Sequence, residues 1–180
     1  MELPSVMGHH RQQGRQARLR CSHPRHIKGV IIVLMETCLA MAIYFEARSE
    51  PIAGQLAVAQ VVLNRVVDER HPDNICDVVL EGPVYPSGHP VKHRCQFSFW
   101  CDGKPERITD HEAWQTAMLM ATVLTDPDCL HIDITEGATF YHATNVSPRW
   151  RYTMRMTTQV GNHIFYTPDN VSVTLTREME

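Results

Sequence analysis

Apolar residues recur along this chain with three different spacings. From 29 to 45 they are almost continuous, which predicts a buried helix over about 30–48. Beyond a short polar break, Ile52, Leu56, Ala59, Leu63 and Val66 recur at steps of three and four. That is one face of an amphipathic helix, with Ser49 placed to cap it and Pro51 in its first turn, where a missing N–H costs little. Ala53, Gly54 and Ala57 are small enough to let another backbone approach closely. A third helix is expected over 110–124, capped by Thr109 or Asp110, with Ala113, Ala117, Met120 and Leu124 on one face and Pro127 beyond its end. Residues 138–142 and 159–166, rich in aromatic and β-branched side chains, read as strands. Val171, Val173 and Leu175 alternate with Ser and Thr, predicting a further terminal strand. The middle of the chain, 68–109, carries Pro, Gly, His and Cys around one short apolar piece at 75–80 and otherwise reads as loops, the kind of segment that holds function.

Charge changes this picture at the N-terminus. Residues 1–28 hold six basic groups against Glu2, a net of +5 in a chain whose formal charge is −3, so a basic arm precedes a body of −8. The arm has no apolar period and reads as a disordered start with no role of its own, the favoured reading, or as a basic tail that touches an anionic surface such as lipid headgroups, wall polymer or nucleic acid. No aromatic stacking stripe or helix-turn-helix pattern follows it, so nucleic acid is not expected as a partner. Basic residues preceding the apolar run at 29–45 give it the look of a signal peptide's first two regions. Glu36 interrupts that run, however, and it is short for a membrane span. A buried helix is the favoured reading, with a signal anchor as the alternative. Six cysteines are too few for a disulfide scaffold in 180 residues. Cys38, within an apolar helix, reads as a small core hydrophobe. Cys76, Cys95 and Cys101 lie in polar, loop-like sequence, where one bridge would suit a periplasmic or secreted protein. The pairing of Cys76, Cys95, Cys101 and Cys129 is open.

The most informative polar residue is Glu46, directly after Ile43, Tyr44 and Phe45. At the end of a buried helix a carboxyl lies between core and solvent. Burial raises its pKa, and a protonated Glu can act as general acid on a glycosidic oxygen. Against this stand an ion pair with Arg48 or Arg65, or a capping role for the next helix. A glycosidase ordinarily needs a second carboxylate. Glu50, Asp102 and Asp110 are candidates, but none has a supporting spacing, and each also reads as a surface acid or cap. The run CQFSFWCDG (95–103) offers rings at Phe97, Phe99 and Trp100 and hydrogen-bonding groups at Gln96, Ser98 and Asp102, a mixture that suits sugars. Phe97 and Phe99 double as core anchors. Tyr141, His142, Asn145 and Trp150 in ATFYHATNVSPRW (138–150) could complete a groove wall. Two rival chemistries are weaker. A Cys95 or Cys101 nucleophile with His142 as base has no local signature. A metal site among the eleven histidines, which include His89, His93, His131 and His163, lacks HExxH and paired CxxC. No metal or cofactor is expected.

Together, AIYFEARSEPIAGQLAVAQVVLNRV, HPDNICDVV, CQFSFWCDG, ATFYHATNVSPRW and TTQVGNHIFY, in this order across 39–166, resemble the SleB/CwlJ-like cell-wall hydrolase family of spore-cortex-lytic enzymes. The resemblance implies a lysozyme-like single α+β domain, helices around a small antiparallel sheet. Residues 29–167 would form the catalytic domain, between the arm at 1–28 and a tail at 168–180. It implies cleavage of peptidoglycan glycan strands between MurNAc and GlcNAc, by lytic transglycosylase chemistry that leaves 1,6-anhydro ends. Glu46 would be the one catalytic residue, acid and then base, which removes the need for a second carboxylate. Gln96, Ser98, Tyr141, His142 and Asn162 would bind substrate, and Arg48 would hold the motif through an ion pair. The expected species is a monomer. The sequence departs from the family where many relatives have Gly in place of Ser49, and its Cys95 and Cys101 resemble proteobacterial and phage-like members. With no recognisable export signal or wall-binding repeat, it fits wall remodelling or a phage-type endolysin better than spore germination. The expected location is periplasm, cell envelope or outside the cell, or the cytoplasm until holin release if phage-encoded. A non-catalytic wall-binding protein and a metal-dependent amidase are the alternatives.

Overall fold

Helix α1 (Gly29–Ala47) is apolar on every side because it is the central element of the fold. In the computed structural model, which describes residues 29–129 and 131–168, it packs against three other helices, α2 (Ile52–Val66), α3 (Ile75–Val79) and α4 (His111–Thr125). Leu39, Ala40, Ala42 and Ile43 are fully buried there. Tyr44 is buried too, and its hydroxyl accepts the backbone N–H groups of Thr109 and Asp110 at 3.1 and 3.0 Å. These belong to the N-terminal end of α4, so the end of α1 meets the start of α4. Asp110 caps α4 by accepting the Ala113 N–H at 3.0 Å.

Ser49 does not cap α2. The helix begins at Ile52, with Pro51 in the capping position and no side-chain cap, so Ser49 stands two residues too early to reach an orphan N–H. The apolar piece in the middle segment is α3, capped by Asn74, whose side chain accepts the Asp77 N–H at 2.9 Å. Because α3 lies across α1, Cys38 is not an unpaired core residue: it is bonded to Cys76, with Cα atoms 5.2 Å apart. Cys95 is bonded to Cys101 around the 3-10 turn Ser98–Cys101. Neither of those two sulfurs is therefore a free thiolate nucleophile.

The sheet is antiparallel, in the order β1 (Phe140–Ala143), β3 (His163–Pro168), β2 (Met154–Val160). The segment 159–166, expected as one strand, is a tight hairpin. Val160 ends β2, Gly161 turns with φ +57°, and β3 begins at His163. Most of β2 does not show in the sequence because none of its side chains is fully buried and its apolar alternation is weak. A short 3-10 turn, Arg149–Thr153, leads into it. One core lies among the helices, and a second joins Ala57 and Val61 of α2 to Ala138 and Phe165 at the sheet. A polar seam locks the approach to β1 onto α2: the Asn64 amide donates to Asp133, Thr135 and the Ala138 carbonyl at 3.0–3.1 Å. Among the described residues no helix is long and apolar enough to cross a membrane. The basic arm and the strand expected around Val171 lie outside the described residues.

Candidate active site

Glu46 occupies the penultimate position of α1, half-buried where the helical layer meets the sheet. Tyr141 of β1 donates its hydroxyl to Glu46 Oε2 at 3.3 Å. The backbone N–H of Ser98 faces the same carboxylate. Burial raises the Glu46 pKa above the usual carboxyl range, while the Tyr141 and Ser98 hydrogen bonds and the charge of Arg65 act in the opposite direction. Burial also pushes the Tyr141 phenol well above its ordinary pKa, and the neighbouring carboxylate adds to this, so Tyr141 remains a proton-bearing donor.

Neither arginine pairs with Glu46. Arg48 is exposed; it lies over the Tyr44 ring, 5.0 Å from its centroid, and makes a long 3.5 Å contact to the Tyr44 carbonyl. The ion pairs among the described residues are Arg70–Asp68, His71–Glu81 and Lys104–Asp102, so the ion pair expected of Arg48 is absent there. The helix periodicity explains why: Arg48 projects from the side of α1's end that carries Tyr44. Arg65 is only 4% exposed. Its Nε donates to the Thr139 carbonyl at 2.8 Å, and its guanidinium lies 5.3 Å from the Phe97 ring centroid and 5.7 Å from that of Phe140. Its Nη1 has no hydrogen-bond partner among the described residues. A buried cation thus stands behind Glu46 without being bonded to it. Its burial is foreshadowed in the sequence, since Arg65 follows the buried Val61 and Val62 at helical steps of four and three.

The other carboxylates are engaged elsewhere. Both oxygens of Glu50 accept from Asn162, one from its backbone N–H at 2.9 Å and one from Nδ2 at 3.0 Å. These bonds lower the Glu50 pKa, so it is ionised and latches the β2–β3 turn to the α1–α2 junction. Asp102 accepts the Lys104 N–H at 2.7 Å, and Asp110 is the α4 cap.

Of the residues singled out from sequence, the structure brings Glu46, Ser98 and Tyr141 together. Gln96 is exposed on the same loop, two residues before Ser98. Strand alternation sends His142 to the opposite face of the sheet from Tyr141. There it is buried, stacked on the Tyr166 ring and 3.0 Å from its hydroxyl, with Nδ1 2.9 Å from the Ala143 carbonyl. The carbonyl can only accept, so Nδ1 carries the proton and Nε2 takes the Tyr166 hydroxyl's. Asn162 is committed to Glu50. Asn145 is exposed on the loop after β1, and Trp150 packs on the His142 face. Phe97 and Phe99 are buried anchors. A polar cavity of about 170 Å³ is walled by the stacked Phe45 and Phe99 rings and rimmed by Arg48, Asp102 and Arg107; Glu46, Ser98 and Tyr141 do not line it. A larger cavity of about 550 Å³, between α2 and α4, is lined almost wholly by apolar side chains such as Leu56, Leu119 and Val123 and lacks the polar groups a sugar needs.

The family model described as Cell Wall Hydrolase matches residues 49–166, beginning three positions after Glu46. The spore cortex-lytic enzyme of Halalkalibacterium halodurans is 33% identical over 71% of this chain and 33% of its own length. That of Bacillus cereus is 30% identical over 71% of this chain and 42% of its own. The chain therefore spans between a third and about two-fifths of these relatives. Among solved structures, the catalytic domain of Bacillus cereus SleB is 30% identical, with a TM-score of 0.51 over 73% of this chain and 88% of that one. The catalytic domain of the germination-specific lytic transglycosylase SleB from Bacillus anthracis is 28% identical, with a TM-score of 0.54 over 81% of this chain and all of that one.

Proposed function

Because the chain belongs to the cell wall hydrolase family, we propose that it cuts the glycan strands of peptidoglycan between MurNAc and GlcNAc as a lytic transglycosylase, with Glu46 as its single acid and base. Protonated Glu46 gives its proton to the bridging oxygen as the bond from the muramoyl C1 to that oxygen breaks. The C6 hydroxyl of the same muramoyl ring attacks C1 and returns its proton to the Glu46 carboxylate. A 1,6-anhydro end forms, no water is consumed, and the acid is regenerated.

Each group around Glu46 has a part in this cycle. Burial favours the protonated acid that begins it. Tyr141, the Ser98 N–H and Arg65 favour the carboxylate that exists between the two proton transfers, so proton affinity is balanced between two roles. The observation that carries the reading is this half-buried carboxyl with raised pKa, whose neighbouring candidates Glu50, Asp102 and Asp110 are all bound up in structural contacts. Hydrolysis of the usual two-carboxylate kind would need one of them. Ser98, whose backbone N–H faces Glu46, and Gln96, exposed two residues before it, are assigned to substrate binding. His142 and Asn162 support the sheet and its turn instead. The bridges Cys38–Cys76 and Cys95–Cys101 suit an oxidising compartment, so we place the enzyme in the cell envelope, in wall remodelling or phage-type lysis.

Mass spectrometry of digested sacculi tests the chemistry. Anhydro-muramoyl ends are expected; reducing ends would mean hydrolysis, and cut stem peptides would mean an amidase. Glu46→Gln should lower the rate of sacculus lysis by at least about 100-fold while leaving the fold intact. Lysis at the parent rate would remove Glu46 from the mechanism.

A further inference from the structure

The Cys95–Cys101 bridge ties together two residues six positions apart, and Ser98 lies at the midpoint of the span. Ser98 is the residue whose backbone N–H faces the Glu46 carboxyl. The same turn meets the end of α1 a second time, where the Phe99 ring stacks on Phe45 at 4.8 Å. Phe97 and Phe99 are buried, but Ser98 between them is exposed, so the direction of its N–H depends on how the backbone closes. The turn Ser98–Cys101 closes weakly by itself. It is a 3-10 turn, with poorer hydrogen-bond geometry than an α-helix, no side chain caps it, and the Trp100 N–H reaches the Phe97 carbonyl only at 3.3 Å. The other end of the span is firm. Gln96 donates its N–H to the Glu81 carbonyl at 2.9 Å, and Cys95 sits so close on Gly82 that a Cβ there would lie 2.9 Å from the Cys95 Cα. The bridge fastens the weak turn to this firm end.

We propose that the Cys95–Cys101 bridge is a positioning element for Glu46 and, through it, a redox switch: closed, it holds the Ser98 N–H on the carboxyl, and opened by a small dithiol it releases that donor. Opening takes two exchange steps. The dithiol's thiolate attacks the sulfur of Cys95, which is half-buried, whereas Cys101 is only 4% exposed. The S–S bond breaks and Cys101 leaves as a thiolate, toward which the Cys95 N–H already donates at 3.0 Å. The dithiol's second sulfur then displaces Cys95. The protein sulfurs take up two electrons and two protons, and the dithiol departs as a cyclic disulfide. The His93 N–H still donates to the Cys101 carbonyl at 2.9 Å, so the span loosens without coming away. Glu46 is faced by Tyr141 from β1, by Arg65 from α2 and by Ser98 from this turn. Loss of the Ser98 donor leaves burial less opposed, so the carboxyl's pKa rises and the carboxylate between the two proton transfers is harder to form. The enzyme then runs at full rate in an oxidising envelope and is throttled wherever a dithiol pool is reducing. The effect on rate rests on the wall-cleaving reading above; the effect on Glu46 does not.

The test uses the full chain, oxidised and across a dithiothreitol series, beside C95A/C101A. Sacculus lysis by the parent is expected to fall roughly tenfold, the worth of one good hydrogen bond, over the range in which alkylation and mass spectrometry find Cys95 and Cys101 as thiols. The alkaline limb of the pH profile for kcat/KM should move to higher pH in step. C95A/C101A should show the reduced parent's rate and limb from the outset and lose no further activity to dithiothreitol. A variant that starts at the oxidised parent's rate, or that falls on reduction as the parent does, would overturn the proposal. So would a parent whose rate drops while the limb stays in place, since a merely loosened fold would do that. The carboxyl is also read without turnover, by NMR titration of isotope-labelled glutamate side chains, with Glu46→Gln identifying the Glu46 signal. Its midpoint should rise on reduction of the parent, and an unchanged midpoint sinks the coupling. If the oxidised chain cuts no strand at all, the catalytic reading fails and the titration still decides whether the bridge governs Glu46.

Discussion

Tyr141 and Glu46 touch by a single hydrogen bond, yet that bond bears on both halves of the proposed cycle. Tyr141→Phe removes a donor that favours the carboxylate, so the Glu46 pKa should rise further. The alkaline limb of the pH profile for kcat/KM, set by loss of the acid's proton, is expected to move to higher pH. kcat should fall roughly tenfold, the worth of one good hydrogen bond. A limb that stays in place would separate Tyr141 from Glu46. The sign for stability follows from the same burial. A carboxyl whose pKa is raised on folding is favoured while protonated and loses stability as pH rises through its folded pKa. Glu46→Gln, inactive, should therefore melt higher than the parent at pH 8, with the difference narrowing toward pH 4, as a calorimetric pH series would read. The sequence singles out Glu46 as a carboxylate in an apolar helix, but an ion pair or a cap reads equally well there, and its acid–base role comes from the family resemblance. Its surroundings were less legible. Which of Tyr141 and His142 faces it depends on strand register, and the residue types alone do not fix that.

At the scale of elements, the amphipathic helices α2 and α4 were plain from periodicity, and so was α1 from its length. What stayed hidden was the order of strands and turns at the sheet. Gln159 to Tyr166 reads as one aromatic and β-branched run until Gly161 is recognised as a turn, and the partner strand carries no fully buried side chain. That turn is held from outside: a Cβ at position 161 would collide with Glu50 Oε2, and φ +57° is a region that side chains resist. Gly161→Ala is expected to cost about 1–3 kcal/mol, measured by denaturant unfolding. Asn162→Ala, which removes one side-chain bond to Glu50 and keeps the backbone one, should cost less. A Gly161→Ala chain as stable as the parent would show that Glu50 yields easily.

Across the whole molecule, the two halves are held by different means. The bridges Cys38–Cys76 and Cys95–Cys101 both lie among the helices and their loops, whereas the sheet is fastened to α2 and to the α1–α2 junction by hydrogen bonds. The Cys38–Cys76 bridge spans 38 positions of chain. Replacing both cysteines by Ala should cost about 2–4 kcal/mol, with a matching drop in Tm and much less sensitivity to reductant thereafter. A double variant as stable as the parent would mean that α3 packs on α1 equally well without the link. From sequence, the domain's class was readable in the order of motifs. The bridge was not, because Cys38 sits among hydrophobes and its partner belongs to a helix too short to show a period.

The Glu50–Asn162 latch has a bearing on acid tolerance. A carboxylate with a lowered pKa contributes to stability above its unfolded pKa, and that contribution disappears as pH falls through the folded value. Acid below that value would undo the clasp between hairpin and helix junction, and Tyr141 hangs on the strand next to β3. The clasp lies outside the chemistry and yields later than it does, so souring the medium would reach the tooth well before it slackened the jaw.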